Sequence, residues 1–183
     1  WWGIPKKGLQ AILESNAPVG VFAKNKDYLD SLYIVNDTDG ALGECETVRE
    51  LMEGLSVSAK SKNITLDFKG ETCMIRGNKD MIRELTENLV INGIRYNNPG
   101  GRVTVRVLKR DHPVLVVKDN GIGIPASDQQ RVFERFYRVD KSRSKETGGT
   151  GLGLAIVKHI TERHGGEISL ESSEQGTTFT ARF

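Results

Sequence analysis

Asn78-Lys79-Asp80-Met81-Ile82-Arg83-Glu84-Leu85-Thr86-Glu87-Asn88-Leu89-Val90-Ile91-Asn92-Gly93-Ile94-Arg95-Tyr96 is the stretch on which the fold turns. Asn78 is a good helix N-cap, because its side-chain oxygen can accept from the free N–H groups of a first turn. Ile82, Leu85 and Leu89 form an apolar stripe at helical spacing, and Asn97-Asn98-Pro99-Gly100-Gly101 is a turn that stops the helix at about Tyr96. On either side the period changes to two. Upstream, Ile64, Leu66 and Phe68 alternate with Thr65, Asp67 and Lys69, and Cys73 and Ile75 resume the alternation after Gly70-Glu71, which predicts a β-hairpin of half-buried strands. Downstream, Val103, Val105 and Val107 alternate with Thr104 and Arg106, while Val114 to Val117 is a continuous apolar run. This predicts an edge-facing strand paired with a central one that ends at Asp119.

Working outward, Val48, Leu51, Met52 and Leu55 suit an amphipathic helix over Glu44 to Lys60, and a second such helix runs from Leu152 to Arg163 before His164-Gly165-Gly166. Ile168, Leu170, Thr178, Phe179 and Phe183 supply a last β-pair around Gln175-Gly176. Gly121 to Gly149 is rich in glycine and charge, with a short helix expected near Asp128 to Phe136. So long a connection reads as a lid, over about 121–150. Strands and helices mix without a βαβα rhythm. The expected fold is therefore α+β: a two-layer α/β sandwich, its sheet mixed and mostly antiparallel, with helices packed on one face. The expected catalytic domain is 42–183. Residues 1–41 show no dominant period and read as a linker, a hairpin remnant or partly engineered sequence.

The 183 residues carry 26 Lys+Arg against 24 Asp+Glu, a net charge of +2, which gives no basic field for nucleic acid. Two cysteines, Cys45 and Cys73, are too few for a disulfide framework or a zinc site, so a reducing compartment is expected. No apolar run approaches the roughly 18 residues a membrane span needs, and Trp1 to Lys7 lacks the apolar stretch of a signal peptide. The expectation is a soluble cytoplasmic piece, which can also be the cytosolic part of an anchored protein.

Three constellations carry chemistry. Glu84, Asn88, Asn92 and Arg95, at spacings of four, four and three, form one polar line along the central helix. A carboxamide oxygen there can complete the shell of a Mg²⁺ otherwise held by waters and phosphate oxygens, and Arg95 can offset phosphate charge; the line also fits a solvated helix face. Asp119-Asn120-Gly121-Ile122-Gly123 puts a carboxylate at the end of a buried strand, followed by glycines that permit close approach. An ionised carboxylate only accepts hydrogen bonds, so it suits an exocyclic amine such as adenine's; taken alone, the segment also fits an acidic turn. Gly148-Gly149-Thr150-Gly151-Leu152-Gly153-Leu154 opens a helix whose free N–H groups and dipole can face phosphates, or it is a flexible hinge. It is neither a Walker loop, lacking Gly-Lys-Ser/Thr, nor a dinucleotide fingerprint, lacking the preceding strand.

In this order, with Phe133 to Asp140 between the last two, these segments resemble the catalytic ATP-binding domain of bacterial sensor histidine kinases, over roughly residues 44–183. The resemblance implies the Bergerat ATP-binding fold that this group shares with type II topoisomerases, gyrase-like heat-shock chaperones and mismatch-repair ATPases. It implies that Asn88 to Tyr96 is the N box, in which Asn92 ligates Mg²⁺, Asn88 supports it, Arg95 lies near the phosphates and Tyr96 lines the nucleotide. Asn88 and Arg95 are the catalytic candidates. Asp119, Gly121 and Gly123 are similar to the G1 box, with Asp119 reading the adenine amine. Phe133 to Tyr137 is similar to the F box in an ATP lid, which puts Arg135 and Phe136 among the nucleotide-binding residues. Gly149, Thr150, Gly151, Leu152, Gly153 and Leu154 are similar to the G2 box, and Thr178 stands for the Thr of a last motif at the adenine pocket. Gly93 and Arg95 replace the usual Ala and Lys; a mid-helix Gly costs about 1 kcal/mol against Ala.

The implied cofactors are ATP and Mg²⁺, and the implied partners are a helical dimerisation hairpin with its phosphoacceptor His and a response regulator. His112, His159 and His164 all lack the acidic residue and Thr-Pro that follow such an acceptor, so they are expected to be structural or solvent-exposed. The nucleophile is therefore expected outside this chain, which should not phosphorylate itself. An ATP hydrolase of the same group would place a Glu, as base for water, where Asn88 stands. A nucleotide-binding module without catalysis is the remaining alternative.

Overall fold

The structure is a computed structural model that describes residues 19–22, 33–36, 44–71, 73, 75, 77–139 and 150–183. A small antiparallel pair, β1 (Val19–Phe22) and β2 (Tyr33–Asn36), falls within the segment the sequence left without a period. The chain then runs α1 (Glu44–Ser61), β3 (Thr65–Gly70), α2 (Lys79–Arg95), β4 (Arg102–Lys109), β5 (Pro113–Asp119), α3 (Gly153–Arg163), β6 (Glu167–Ser173) and β7 (Gly176–Arg182). The last five strands form one sheet in the order β3-β4-β5-β7-β6. Its first pair is parallel and the other three are antiparallel, which gives the mixed, mostly antiparallel sheet expected of an α+β sandwich.

Two expectations about the sheet are corrected. Among the described residues β3 pairs with β4 alone and not with Cys73 or Ile75: Thr65 to Gly70 pairs along its whole length with Arg102 to Val107, parallel, across the α2 crossover. That same pairing covers β4, which is an inner strand and not an edge. Alternation alone could not reveal this, because a half-buried strand has the same period whichever neighbour it takes. A third correction concerns Asp128 to Phe136, where the described residues make successive turns rather than a helix. Asp128 N donates to Pro125 O at 2.9 Å, Arg131 N to Asp128 O at 2.8 Å and Glu134 N to Arg131 O at 2.8 Å.

α2 forms where its sequence says it should. Asn78 sits at φ −92°, ψ 120°, and its side chain accepts from Asp80 N at 2.9 Å and Met81 N at 3.1 Å. Ile82, Leu85, Leu89, Val90 and Ile94 are buried on the helix and join Val103, Val105 and Val107 of β4, Leu115 and Val117 of β5 and Phe179 and Ala181 of β7 in one core. Val48 and Met52 of α1 and Val157 and Ile160 of α3 complete it. Full burial of a Leu contributes roughly 1.5–3 kcal/mol, so the α2 stripe is a major part of the domain's cohesion. Gly93 is set against the sheet: a Cβ there would lie 3.1 and 3.2 Å from the Val103 methyls and 3.5 Å from Asp119 Cβ. The missing methyl thus lets α2 lie close over the end of β5.

Leu89→Ala, at a fully buried position, is expected to cost about 2–5 kcal/mol in reversible denaturant unfolding; a loss under 1 kcal/mol would place the core elsewhere.

Candidate functional site

Asp119 ends β5 at the centre of the sheet, half-buried, and two backbone donors fix one of its oxygens. Oδ1 accepts from Gly121 N at 2.8 Å and from Thr177 N, on β7, at 3.3 Å. Oδ2 accepts no hydrogen bond among the described residues. Burial raises the Asp119 carboxyl above the usual carboxylate range, and the bonds from Gly121 and Thr177 pull the other way. Such a group gains by meeting a donor that enters from outside.

The space around it is held open by glycines. A Cβ on Gly121 would stand 2.4 Å from Tyr96 O and 3.0 Å from Asp119 Oδ1; one on Gly176 would stand 2.1 Å from Asp119 O. Ile122 N donates to Tyr96 O at 3.1 Å, so the loop after Asp119 is laced to the end of α2. Gly123, at φ +70°, brings the backbone so near β6 that a Cβ would lie 1.8 Å from Ser173 O. Ser172 fastens this corner: its Oγ accepts from Ile124 N at 2.8 Å and lies 2.9 Å from Thr177 Oγ1.

The polar line of α2 faces the start of α3. Asn88 Nδ2 donates to Glu84 O at 2.9 Å, which leaves Oδ1 turned outward, 2.8 Å from the point a Cβ on Gly153 would occupy. Asn92 and Arg95 follow on the same line, both half-buried, and Tyr96 is 40% exposed at the helix end. α3 starts at Leu152-Gly153 with no side-chain cap and no acidic residue in its first turn, so its leading N–H groups and positive dipole end are uncompensated. Among the described residues no group of three His, Cys, Asp or Glu could hold a metal. A cation at this face would thus be held through neutral carboxamide oxygens and a ligand's own oxygens, and the Asn88 and Asn92 donor set fits such a hard ion.

Residues 126–139 pack beside this opening. Tyr137 OH donates to Asp128 Oδ1, Ser127 Oγ donates to Asp128 Oδ2 at 2.7 Å, and the Arg131 guanidinium lies 4.3 Å over the Tyr137 ring. The Tyr137 bond, then that of Ser127, holds the Asp128 carboxyl below its usual range, and the same Tyr137 bond pushes the phenol up. Phe136 adopts φ +65°, is 71% exposed, and donates its N–H to Gly151 O at 2.9 Å. A Cβ on Gly151 would touch the Phe136 backbone at 2.8 Å, so glycine is required for the two segments to meet.

The structure therefore brings Asn88, Asn92, Arg95, Tyr96, Asp119, Gly121, Gly123, Gly151, Leu152, Gly153 and Leu154 to one end of the sheet. Thr150 borders it, its Oγ1 3.4 Å from Leu152 N. Arg135 is exposed on the turns, and Gly149 lies outside the described residues. Thr178 falls on the other face of the sheet: Thr177, Phe179 and Ala181 are buried under the helices, and Thr178 pairs with Lys118 on the opposite side. Its neighbour Thr177 is the residue at Asp119. Strand parity would have shown this, since Thr177 shares the period of the buried Phe179 and Ala181. Ser172 and Gln129, whose Nε2 donates to Ile124 O at 2.9 Å and Ser172 O at 3.1 Å, carried no motif and were missed.

A family model described as histidine kinase-, DNA gyrase B- and HSP90-like ATPase matches residues 77–183. The chain belongs to this family. Within it the chain is an ATP-binding catalytic domain of the sensor histidine kinase type. It is 43% identical over 136 residues to the sensor-like histidine kinase SenX3 of Mycolicibacterium smegmatis, covering 73% of this chain and 35% of that protein. It is 46% identical over 106 residues to the sensor histidine kinase WalK of Bacillus subtilis, covering 56% of this chain and 17% of that one. The chain thus spans only 17–35% of the length of these relatives. Among solved structures, the mycobacterial sensor histidine kinase MprB superposes with a TM-score of 0.66 at 29% identity, covering 75% of this chain and 91% of that one. No helix among the described residues of this ATPase-family domain is long and apolar enough to cross a membrane.

The raised Asp119 carboxyl gives a pH-dependent prediction. A carboxyl raised by folding supports the fold most below the ordinary carboxylate range, and that support is lost as pH climbs through its folded value. Asp119→Asn, which removes the charge, should therefore gain stability relative to the unaltered ligand-free domain as pH rises from acid to neutral. Thermal melts across that range check it, and a variant that loses stability relative to the unaltered domain as the pH rises would contradict the burial argument.

Proposed function

We propose that the domain binds Mg·ATP at the end of β5 and passes its γ-phosphoryl to a histidine on a helical dimerisation hairpin outside residues 42–183, for onward transfer to a response regulator. The observation that carries this reading is Asp119, fixed through Oδ1 with Oδ2 left to accept, opposite the carboxamide line of α2 and the uncapped start of α3. Asp119 takes the adenine amine, with Thr177 rather than Thr178 beside it, and Gly121 and Gly123 leave room for the ring. Tyr96 borders it. Asn92 with Asn88 holds Mg²⁺, which neutralises charge on the phosphates when bound. Arg95 adds positive charge, and Thr150 to Leu154 turn backbone N–H groups toward the phosphate chain, with Gly149 the residue before them in the motif. Arg135 and Phe136 belong to the lid, over about 121–150.

In this reading a nitrogen of the incoming imidazole forms the bond to the γ-phosphorus as the bond to the bridging oxygen breaks; ADP leaves with that electron pair and the imidazole proton is released. The protein's part is positioning and charge neutralisation, because phosphoryl transfer asks little covalent work of it. Hydrolysis is disfavoured: Asn88 stands where a base for water is needed, and exposed Glu84 offers it only a backbone carbonyl. The domain works in the cytoplasm.

Calorimetric titration with a non-hydrolysable ATP analogue tests the site. Binding should be strengthened by Mg²⁺, weakened about 10- to 100-fold by Asp119→Asn, as loss of a charged hydrogen bond implies, and uncoupled from Mg²⁺ by Asn92→Ala. A folded domain that binds no nucleotide would overturn the reading. With γ-labelled ATP, the chain alone should show no phosphohistidine while a cognate hairpin added in trans is labelled; label on the chain itself would place the acceptor here.

A further inference from the structure

His164 lies just past the end of α3, yet its ring reaches the start of α2. Nδ1 lies 2.7 Å from Ile160 O, and Nε2 accepts from Asn78 N at 3.1 Å. A carbonyl can only accept and a backbone N–H can only donate, so the ring is the neutral tautomer with its proton on Nδ1. The approach is tight: a Cβ on Gly77 would lie 2.0 Å from His164 Cδ2, and the Phe183 ring meets the imidazole edge to face at 6.2 Å. Asn78 is the N-cap of α2, so the imidazole bonds the backbone of the residue whose side chain starts that helix.

The two helices run antiparallel. At their other end Asn88 Oδ1 meets the Gly153 position. The rise from Asn78 to Asn88 is about 15 Å and that from Gly153 to His164 about 16 Å, so the clip and the open site sit at opposite ends of one helix pair. Sliding or splaying α2 against α3 would move the Asn88–Asn92 line relative to the N–H groups at the start of α3. The packed side chains between them already resist such a shift, and the hydrogen bond from Asn78 N to His164 Nε2 adds a directed tie at one end of the pair.

We propose that His164 is a positioning residue for the nucleotide site: as a neutral Nδ1–H imidazole it pins the start of α2 to the end of α3 and so sets the gap between the carboxamides and the glycine-rich helix start. The inference rests on the nucleotide-binding reading of that gap. It touches no nucleotide, since the site lies a full helix length away.

Three substitutions separate its functions. Gln keeps an acceptor at the Nε2 distance, Asn keeps only a donor at the Nδ1 distance, and Phe keeps the ring against Phe183 with neither. Titrating a non-hydrolysable ATP analogue with Mg²⁺ into each folded variant, alongside its melting curve, His164→Gln should bind close to the unaltered chain. His164→Phe and His164→Asn should bind about fivefold more weakly or worse, with faster amide exchange at Asn78. Folded Phe and Asn variants that bind as tightly as the unaltered chain, whatever their melting temperatures, would overturn the proposal, as would ¹⁵N shifts showing Nε2 protonated. Failure of the unaltered chain to bind the analogue would instead overturn the nucleotide reading on which it stands.

Discussion

Asp119 Oδ1, held by the N–H groups of Gly121 and Thr177, is the interaction on which the site depends. It ties the end of β5 to the start of β7 and to the loop leading toward Phe136, so one carboxylate oxygen fixes three segments. Only its partner oxygen is left to meet a ligand. The cost is a carboxylate partly withdrawn from water, which raises its pKa. An apolar residue at this place would relieve that cost and remove the means of reading a ligand.

Close approach is the second constraint, and it follows from the first. A Cβ on Gly93, Gly121 or Gly176 would come within 3.5 Å of Asp119, and one on Gly153 within 2.8 Å of Asn88 Oδ1. At Gly121 and Gly176, where a Cβ would meet Tyr96 O at 2.4 Å and Asp119 O at 2.1 Å, a side chain would force apart the end of α2, β5 and β7. The glycines in the sequence thus mark where backbone meets backbone, and the carboxylate and carboxamides mark what the resulting recess can bind.

Much of this was legible before any coordinates. Asn78 announced α2, the Val103–Val105–Val107 alternation announced β4, and Asp119 with Gly121 marked the candidate site, because each rests on local chemistry. What stayed hidden was non-local. The parallel pairing of β3 with β4 depends on a crossover that leaves no period of its own. The bonds of Ser172 and Gln129 join segments more than 40 residues apart, and that of His164 to Asn78 joins residues 86 apart. The Thr177-Thr178 pair shows why: the motif specifies a Thr by type, while strand parity turns Thr177 inward with Phe179 and Ala181.

The central claim is that Asp119 reads an adenine amine, and nucleotide selectivity tests it directly. The measurement is the affinity of the Mg²⁺-bound domain for ATP against purine riboside triphosphate, which lacks the 6-amino group, and against GTP, which presents an acceptor there. The account predicts that both bind about 10- to 100-fold more weakly than ATP, the range for a hydrogen bond to a charged group. Equal affinity for all three would mean that Asp119 faces no amine, and that the recess at the end of β5 is not where the base sits.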